Sequence, residues 1–240
     1  MRNGIVKSIL IVLILSSLSL ILIACWDTGD LIEKTFIVEM GEAQKVHAGI
    51  MIYEGNLEIS GGNQQSLLIS DFTYNLKQWA PTISYSEENN EGDLKIIQKE
   101  DNEKQKSDYL QNKWLLQFNK DIPLKLDIVM GRGENHLRLD LINLTGLKAI
   151  VGTGDTVLDL TGDYQENISV FLVGGFGNTT INLPENVGIR LIIEGMLNRI
   201  NCDDFKRINN FYYNSSFDFS ERKIYITLIS GLGNININLI

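Results

Sequence analysis

Cysteine and histidine are scarce in this sequence, which has two of each among its 240 residues. His47 and His136 are far apart, and no cluster of cysteine and histidine has the spacing of a metal site. There is no Gly-x-Ser-x-Gly elbow, and no glycine-rich turn is followed by the Lys-Ser or Lys-Thr of a phosphate loop. These absences argue against a metalloenzyme, a serine hydrolase and a nucleotide-binding protein, and we expect no cofactor.

Basic residues are too few to balance the acids, since 21 lysines and arginines accompany 30 aspartates and glutamates. Removal of residues 1–24 in processing would take away Arg2 and Lys7 but no acid, so the net charge would change from −9 to −11. A surface this acidic repels phosphate backbones and anionic headgroups. We therefore expect no nucleic-acid partner.

The one long apolar run lies at the N terminus, where residues 8–23 follow a short positive segment. The run is slightly shorter than the roughly 20 residues that cross a bilayer, and its form is typical of a secretory signal. Its end, Leu22-Ile23-Ala24-Cys25, resembles the bacterial lipobox. That resemblance implies cleavage after Ala24 and acyl chains such as palmitate on Cys25; the alternative is an uncleaved anchor.

Lipid on Cys25 would determine where the protein resides. Residues 25–35 would form a lipid-anchored tether, and the rest would fold outside the cytoplasm, on the cell membrane or the outer membrane. One acyl chain is a marginal anchor, but the two or three chains of such lipoproteins hold firmly. With Cys25 acylated, Cys202 has no partner for a disulfide within the chain.

Glycines recur in a regular pattern in the second half of the chain. Four segments each contain an alternating apolar–polar stretch, a Gly-x-Gly corner and a second alternating stretch. Alternation predicts strands with one buried face, and glycine at a corner permits positive φ and close stacking of backbones. The segments are residues 124–139, 147–160, 168–183 and 224–239, with corners at 131–133, 152–154, 175–177 and 231–233.

A fifth, degenerate copy occupies residues 189–202, with Met196 and Asn198 where the corner glycines would be. Asn tolerates a left-handed conformation, so the corner can survive. Four places beyond the second corner position, the clear copies have Leu137, Leu158, Ile181 and Ile237. The same count reaches Cys202, which we therefore predict to point into the core as a structural thiol.

An insertion of about 20 residues, 203–222, separates the degenerate copy from the last one and interleaves aromatic residues from Phe205 to Phe219. One interpretation is an interaction surface, because exposed aromatics anchor many interfaces. The other is that the aromatic side chains cover the side of the repeat stack. The sequence leaves both open.

Units of about 20 residues with glycine corners predict an all-β fold, a parallel β-solenoid in which each coil stacks on the preceding one. No segment after Cys25 has helical periodicity. Residues 36–120 form a less regular N-terminal β-region, which includes one further unit with a corner at 53–55, and residues 121–240 form the repetitive region. The charged segment 100–108 is expected to be a solvated hairpin tip.

This arrangement resembles the adhesin-like, or toast-rack, domain proteins. The resemblance rests on residues 55–62, 71–75 and 114–124 together with the repeats, and it covers nearly all of residues 36–240. It implies a solenoid-like β-fold on exported or membrane-linked bacterial proteins, with relatives among membrane proteins that tune responses to cell-wall damage. It implies no settled activity and no catalytic residues. The sequence departs from the pattern at Met196, at Asn198 and in the insertion.

Calcium is the ion that the corners first suggest, because residues 174–181 look like the calcium-binding nonapeptide of repeat toxins. Calcium prefers several carboxylate oxygens. Thr179 occupies the place of the nonapeptide's aspartate, and Asp155 in the neighbouring copy lies one place too early. We predict that calcium does not hold the fold together.

Paired carboxylates would be needed if the chain, like some parallel β-helices, cleaved polysaccharides. The candidates are Asp140, Asp159 and Asp163, which stacked coils could bring together. Asp140 and Asp159 alternate with leucines, as ordinary outward residues of half-buried strands do. The sequence therefore favours a protein that is not an enzyme.

Two functions remain open. The first is a non-enzymatic surface module, structural or adhesive, that presents a β-face or the aromatic insertion to an envelope protein or to cell-wall glycan. The second is an accessory lipoprotein of an envelope-stress sensing or transport system. A sensor kinase gene beside this one would favour the second function, and an isolated gene would favour the first.

Overall fold

The computed structural model describes residues 30–63, 65–99, 111–195 and 198–240. The predicted all-β fold class is confirmed, because regular structure in these ranges is β-strand apart from a short 3-10 turn at Lys77–Trp79. The signal sequence, Cys25, Met196 and the charged segment 100–108 lie outside the described residues. The strands are β1 (Ile32–Val38), β2 (Lys45–Glu54), β3 (Asn56–Gly62), β4 (Leu68–Tyr74), β5 (Pro81–Glu88), β6 (Glu91–Gln98), β7 (Asn112–Asn119), β8 (Leu124–Arg132), β9 (Asn135–Arg138), β10 (Leu144–Thr153), β11 (Thr156–Asp159), β12 (Ile168–Phe176), β13 (Thr179–Leu183), β14 (Gly188–Gly195), β15 (Asn198–Asn201), β16 (Lys206–Ile208), β17 (Phe211–Tyr213) and β18 (Lys223–Leu239).

Each repeat forms what we call a rung: a strand in a front layer, a corner, and a strand in a back layer. The front layer has the order β5–β6–β2–β8–β10–β12–β18–β14–β17–β16. The back layer has the order β1–β4–β7–β3–β9–β11–β13–β18–β15. Rungs pair in parallel, as predicted, and antiparallel pairs occur only towards the edges of the described layers.

The rungs do not stack in chain order, which corrects the expectation that each coil lies on the preceding one. The rung β2–β3 lies between β6–β7 and β8–β9. The single long strand β18 passes through both layers and lies between β12–β13 and β14–β15. The insertion 203–222 provides the connection that lets the last copy return into this position.

The degenerate copy keeps the predicted register. Asn198 pairs with Gly233, the second corner glycine of β18, and Gly195 pairs with Ser230 just before the corner. The unit with its corner at 53–55 is also a rung, because β2 and β3 pair in parallel with β8 and β9. Both assignments made from the repeat pattern are therefore confirmed.

The corners are closely stacked, and two glycines show why this residue is needed. Gly154, the second corner residue of its rung, has φ +133°, a conformation that side chains rarely adopt. Gly152, the first corner residue, has an ordinary φ, but a Cβ added there would lie 2.1 Å from the carbonyl oxygen of Gly131 in the next rung. A side chain is therefore excluded at Gly152 by contact and at Gly154 by conformation as well.

The core lies between the two layers and runs through both halves of the chain. Leu137, Leu158, Ile181 and Ile237 form an inward ladder in which each side chain is at most 3% exposed. One cluster of buried apolar side chains joins the region expected at 36–120 to the region expected at 121–240. No helix in the described ranges is long and apolar enough to cross a membrane.

Candidate functional site

The outer face of the front layer carries apolar side chains that align across six adjacent strands. Each side chain pairs in register with the next one along the layer. Since strands lie about 4.8 Å apart, the alignment is about 24 Å long. Polar residues pair with its two end members, Thr82 with Ile97 and Glu194 with Ile229. We call these side chains the apolar row: Ile97, Met51, Val129, Ile150, Val173 and Ile229.

The apolar row is accessible to a partner. Ile97, Val129 and Ile150 each expose between 37% and 40% of their surface, and the other three are half-buried. A layer that faces water usually alternates apolar inward with polar outward residues. Aliphatic side chains in register on the solvent side are therefore a departure from the ordinary pattern, and contiguous apolar surface of this kind is typical of interaction sites.

A group of aromatic side chains adjoins one end of the apolar row. Arg190 on β14 stacks over two of the rings, with its Cζ 4.6 Å from the ring centre of Tyr225 and 5.3 Å from that of Phe211. The Lys223 ammonium lies 4.8 Å from the ring centre of Phe217. Phe171, on the same strand as Val173, is exposed on this outer face and pairs in register with Thr227 of β18. We call these rings the aromatic patch: Phe171, Phe211, Tyr213, Phe217 and Tyr225.

The insertion 203–222 has features of both interpretations that its sequence left open, since some of its aromatic side chains pack on the core and others face outward. Its strands β16 and β17 extend the front layer, and Phe205 and Tyr212 pack against the core. Phe211 and Tyr213 pair with outward residues of β14 and belong to the aromatic patch. Phe219 is 88% exposed. Part of the insertion thus covers the side of the stack, and part of it enlarges the outer surface.

The three candidate catalytic acids make structural contacts. Asp159 accepts hydrogen bonds from the backbone N–H and the hydroxyl of Thr161, at 3.0 and 2.6 Å. Asp163 forms an ion pair of 2.7 Å with Arg222, and Asp140 lies in the turn after β9. Burial, together with the nearby Asp159, raises the pKa of the Tyr164 hydroxyl, which donates to a backbone carbonyl.

The two histidines lie in different layers. His47 on β2 contacts two carboxylates, with Nε2 2.9 Å from Asp127 and Nδ1 3.8 Å from Asp93. His136 lies on β9 and is exposed. Among the described residues, no group of three or more His, Cys, Asp or Glu side chains could hold a metal ion.

The corner residues considered for calcium form a ladder of their own. The Asp155 carboxylate accepts hydrogen bonds from the backbone and side-chain amides of Asn178, at 2.8 and 3.3 Å. Asn178 in turn accepts from Asn234 of the next rung, at 3.0 Å. Thr179 is buried. Hydrogen bonds between protein groups thus link the successive corners directly.

Cys202 follows the last residue of β15 and packs against the core, as the repeat count predicted, but it is only half-buried. The reason is local: β15 ends at Asn201, so the chain turns away before the thiol is enclosed. Partial burial and the neighbouring Asp203 raise the pKa of the Cys202 thiol. The predicted inward direction agrees with the structure, whereas full burial was wrong.

The apolar row was missed from the sequence, although a signal for it exists. Two residues before the first corner glycine, the four clear copies have Val129, Ile150, Val173 and Ile229. Alternation assigns these positions to the solvent side, where a charged or polar residue is the usual choice. A recurrent aliphatic residue at an outward position would have identified the surface.

Comparisons with known proteins give one family and one close structural relative. The family model for the N-terminal domain of toast_rack matches residues 27–182. A solved structure described as that of a candidate cell adhesion protein from Clostridium sporogenes is 31% identical, has a TM-score of 0.83, and is aligned over 87% of this chain and 99% of its own. No curated protein matches the chain.

Two further solved structures align over similar lengths but are far less similar. A candidate adhesin from Bacteroides fragilis is 13% identical with a TM-score of 0.29, over 87% of this chain and 97% of its own. A candidate lipid-binding protein from Parabacteroides distasonis is 11% identical with a TM-score of 0.26, over 87% and 97%. Neither similarity is high enough to support an argument.

Proposed function

This chain belongs to the family that carries the N-terminal toast-rack domain, and on that premise we propose that it is an adhesin-like binding module of the bacterial cell envelope. The module is not an enzyme, and it is tethered outside the cytoplasm by lipid on Cys25. Its front layer, with the apolar row and the aromatic patch, contacts an envelope protein. The Clostridium sporogenes relative, described as a candidate cell adhesion protein, supports the binding role.

The tether is supported by the residues at the N terminus. The quartet Leu22-Ile23-Ala24-Cys25 follows a positive segment and an apolar run, as the acylated cysteine of a lipoprotein does. The first strand, β1, begins at Ile32. The seven Cα–Cα steps from Cys25 to Ile32, at no more than about 3.6 Å each, keep the start of β1 within roughly 25 Å of the anchor. A module held this close to a membrane meets its partners at the envelope.

The apolar row is the observation that carries the proposal. Burying its six side chains in an interface would remove aliphatic surface from water without requiring polar partners. Each Å² of apolar surface removed from water contributes about 25 cal/mol of favourable free energy. The neighbouring aromatic patch supplies tyrosine and arginine, residue types enriched where interfaces are energetically strongest. A protein partner fits this chemistry, because protein interfaces combine an apolar centre with aromatic and arginine residues and a polar rim.

Site-specific photo-crosslinking in living cells tests the proposal. A photoreactive residue replaces Ile150 in the apolar row, and in a matched control it replaces Val157, an outward β11 residue in the back layer. We expect a discrete crosslinked species from position 150 and none from position 157. Ile150→Glu should abolish capture by a photoreactive residue at position 129, whereas Val157→Glu should leave it unchanged.

Equal crosslinking from the two layers, or none from position 150, would contradict the proposal. The identity of the captured protein then decides which system the module serves. A receptor or surface protein would indicate adhesion, and a membrane sensor or transporter would indicate an accessory role in envelope-stress sensing or transport.

A further inference from the structure

A cleft of about 570 Å³, lined by polar and apolar surface in nearly equal amounts, lies at the edge of the stack where the chain enters the front-layer strands, away from the apolar row. Residues at the starts of five front-layer strands meet there, because the starts of stacked parallel strands share one edge. A second polar cleft of about 430 Å³, lined by Asp163 and Asn186 among others, lies further along the same series of strand starts. The polar side chains of the first cleft include Gln44, Asn89, Asn90, Asn143, Thr145 and Gln165.

The backbone around the cleft is fixed by hydrogen bonds. Asn89 and Asn90 form the turn between β5 and β6 with φ of 53° and 63°, as a tight type I′ hairpin requires. The carbonyl of Asn90 accepts from the Gln44 N–H at 2.8 Å, and the carbonyl of Asn143 accepts from the Leu124 N–H at 2.8 Å. The cleft is thus assembled from anchored turns, and a ligand would find its walls already in place.

Four of the five side-chain amides in the cleft are available to a ligand, and the fifth, Gln165, donates to the Asp163 carbonyl at 3.2 Å. Within the described residues, the carboxamides of Gln44, Asn89, Asn90 and Asn143 make no hydrogen bond to protein. Each carboxamide offers both donors and acceptors. The cleft's lysine, Lys45, is already paired with Glu91 at 2.8 Å, which leaves Glu166 as the unpaired charge. The lining is therefore rich in amides and carries no free positive charge.

We infer that this cleft binds an uncharged oligosaccharide. Sugar hydroxyls both donate and accept hydrogen bonds, so they match carboxamides, whereas an apolar ligand would leave the amides unpaired at a cost. An anionic ligand would meet Glu166 and the net charge of −9 without a free cation. The second cleft further along the edge favours a chain of sugars over a single one. The site is separate from the front face and goes beyond the proposed function.

The experiment measures binding of the full-length protein, extracted from membranes in detergent, to two uncharged probes, chitohexaose and cellohexaose, and to one anionic probe, polygalacturonate. Gln44→Ala/Asn143→Ala removes two carboxamides that hold no protein partner, and Thr145→Trp fills the cleft from an exposed position. The matched control is Asn201→Ala/Asn236→Ala, which removes two carboxamides from residues that are register partners on β15 and β18 in the back layer. Thermal unfolding of each variant checks that it is folded.

We expect at least one uncharged probe to bind, the anionic probe not to bind, and the cleft double variant to weaken binding about tenfold, as the loss of two hydrogen bonds predicts. Thr145→Trp should abolish binding, and the control pair should not change it. Failure of both uncharged probes at millimolar concentration, stronger binding of the anionic probe, or unchanged binding by both cleft variants would overturn the inference. Ile150→Glu should leave sugar binding intact, so failure here is distinguishable from failure of the proposed function.

Discussion

Replacing Gly152 with alanine would place a methyl group where the next rung already has its backbone. The added Cβ would lie 2.1 Å from the carbonyl oxygen of Gly131, whereas ordinary contact begins at 3.4 Å. The corner of this rung would have to move about 1.3 Å away from its neighbour. The substitution therefore tests whether the rungs stack as closely as the structure shows.

The cost follows from what that movement breaks. The hydrogen bond from the Gly133 N–H to the Thr153 carbonyl is 2.8 Å long, and a displacement of this size would take it beyond hydrogen-bonding distance. Losing this hydrogen bond and one adjacent hydrogen bond would lower the free energy of unfolding by about 2 kcal/mol. Forcing extra volume into a packed site would lower it by about 1–3 kcal/mol more. We expect Gly152→Ala to destabilise the protein by roughly 3–5 kcal/mol.

Gly174→Ala is the matched control, since it lies on β12, beside the next corner. Its added Cβ would meet no heavy atom closer than 3.7 Å, and its φ lies outside the left-handed region. The effect should fall within about 1 kcal/mol of zero, because alanine mainly reduces the entropy of the unfolded chain. Urea unfolding followed by far-UV circular dichroism measures both free energies. If the unfolding free energies of the two variants lay within 1 kcal/mol of each other, with an unchanged dependence on urea concentration, the close stacking of corners would be refuted.

Three further predictions concern single groups. Mass analysis of the membrane-extracted protein should show cleavage after Ala24 and an added diacylglyceryl group; a Cys25→Ala protein that is still processed and membrane-bound would contradict lipidation. Thermal unfolding should have the same midpoint with millimolar calcium and with chelator, because hydrogen bonds already engage Asp155; a rise of several degrees would show a calcium site. The raised pKa of Cys202 keeps its thiol protonated to a higher pH than usual, so alkylation of the native protein should be slow at neutral pH and accelerate as the pH rises towards that pKa. Labelling as fast as that of the unfolded chain would show that the thiol is not packed.

Local signals were enough to predict the rungs. Alternation assigned the strands, and the corner glycines fixed their register closely enough to align Asn198 with Gly233 in a copy that has lost both glycines. Those signals act within a single rung, because burial of alternate side chains and positive φ at a corner depend on near neighbours. The same count placed Cys202 against the core, although it could not show that β15 ends before the thiol is enclosed.

The order of the rungs could not be predicted in the same way. The two edges of a parallel strand offer equivalent hydrogen-bonding groups to a neighbour. The repeat pattern therefore fits chain order, with β18 after β14, as well as the observed order, with β18 between β12 and β14. The repeats contain the signal for four members of the apolar row, but its full extent depends on that order, because Ile97 and Met51 come from strands outside the clear repeats. Clefts such as the amide-lined one depend on which turns meet at an edge, and that too follows from rung order.

The position of β18 also determines when the molecule can be completed. Synthesis from the N terminus delivers β12, β13, β14 and β15 before the strand that must lie between them. Until that strand arrives, both neighbouring rungs present unpaired edges, which are prone to aggregation and to proteolysis. A chain truncated before residue 223 could not close its stack at all. The two rungs that flank β18 therefore gain their shared neighbour only after the insertion 203–222 and β18 itself have been made.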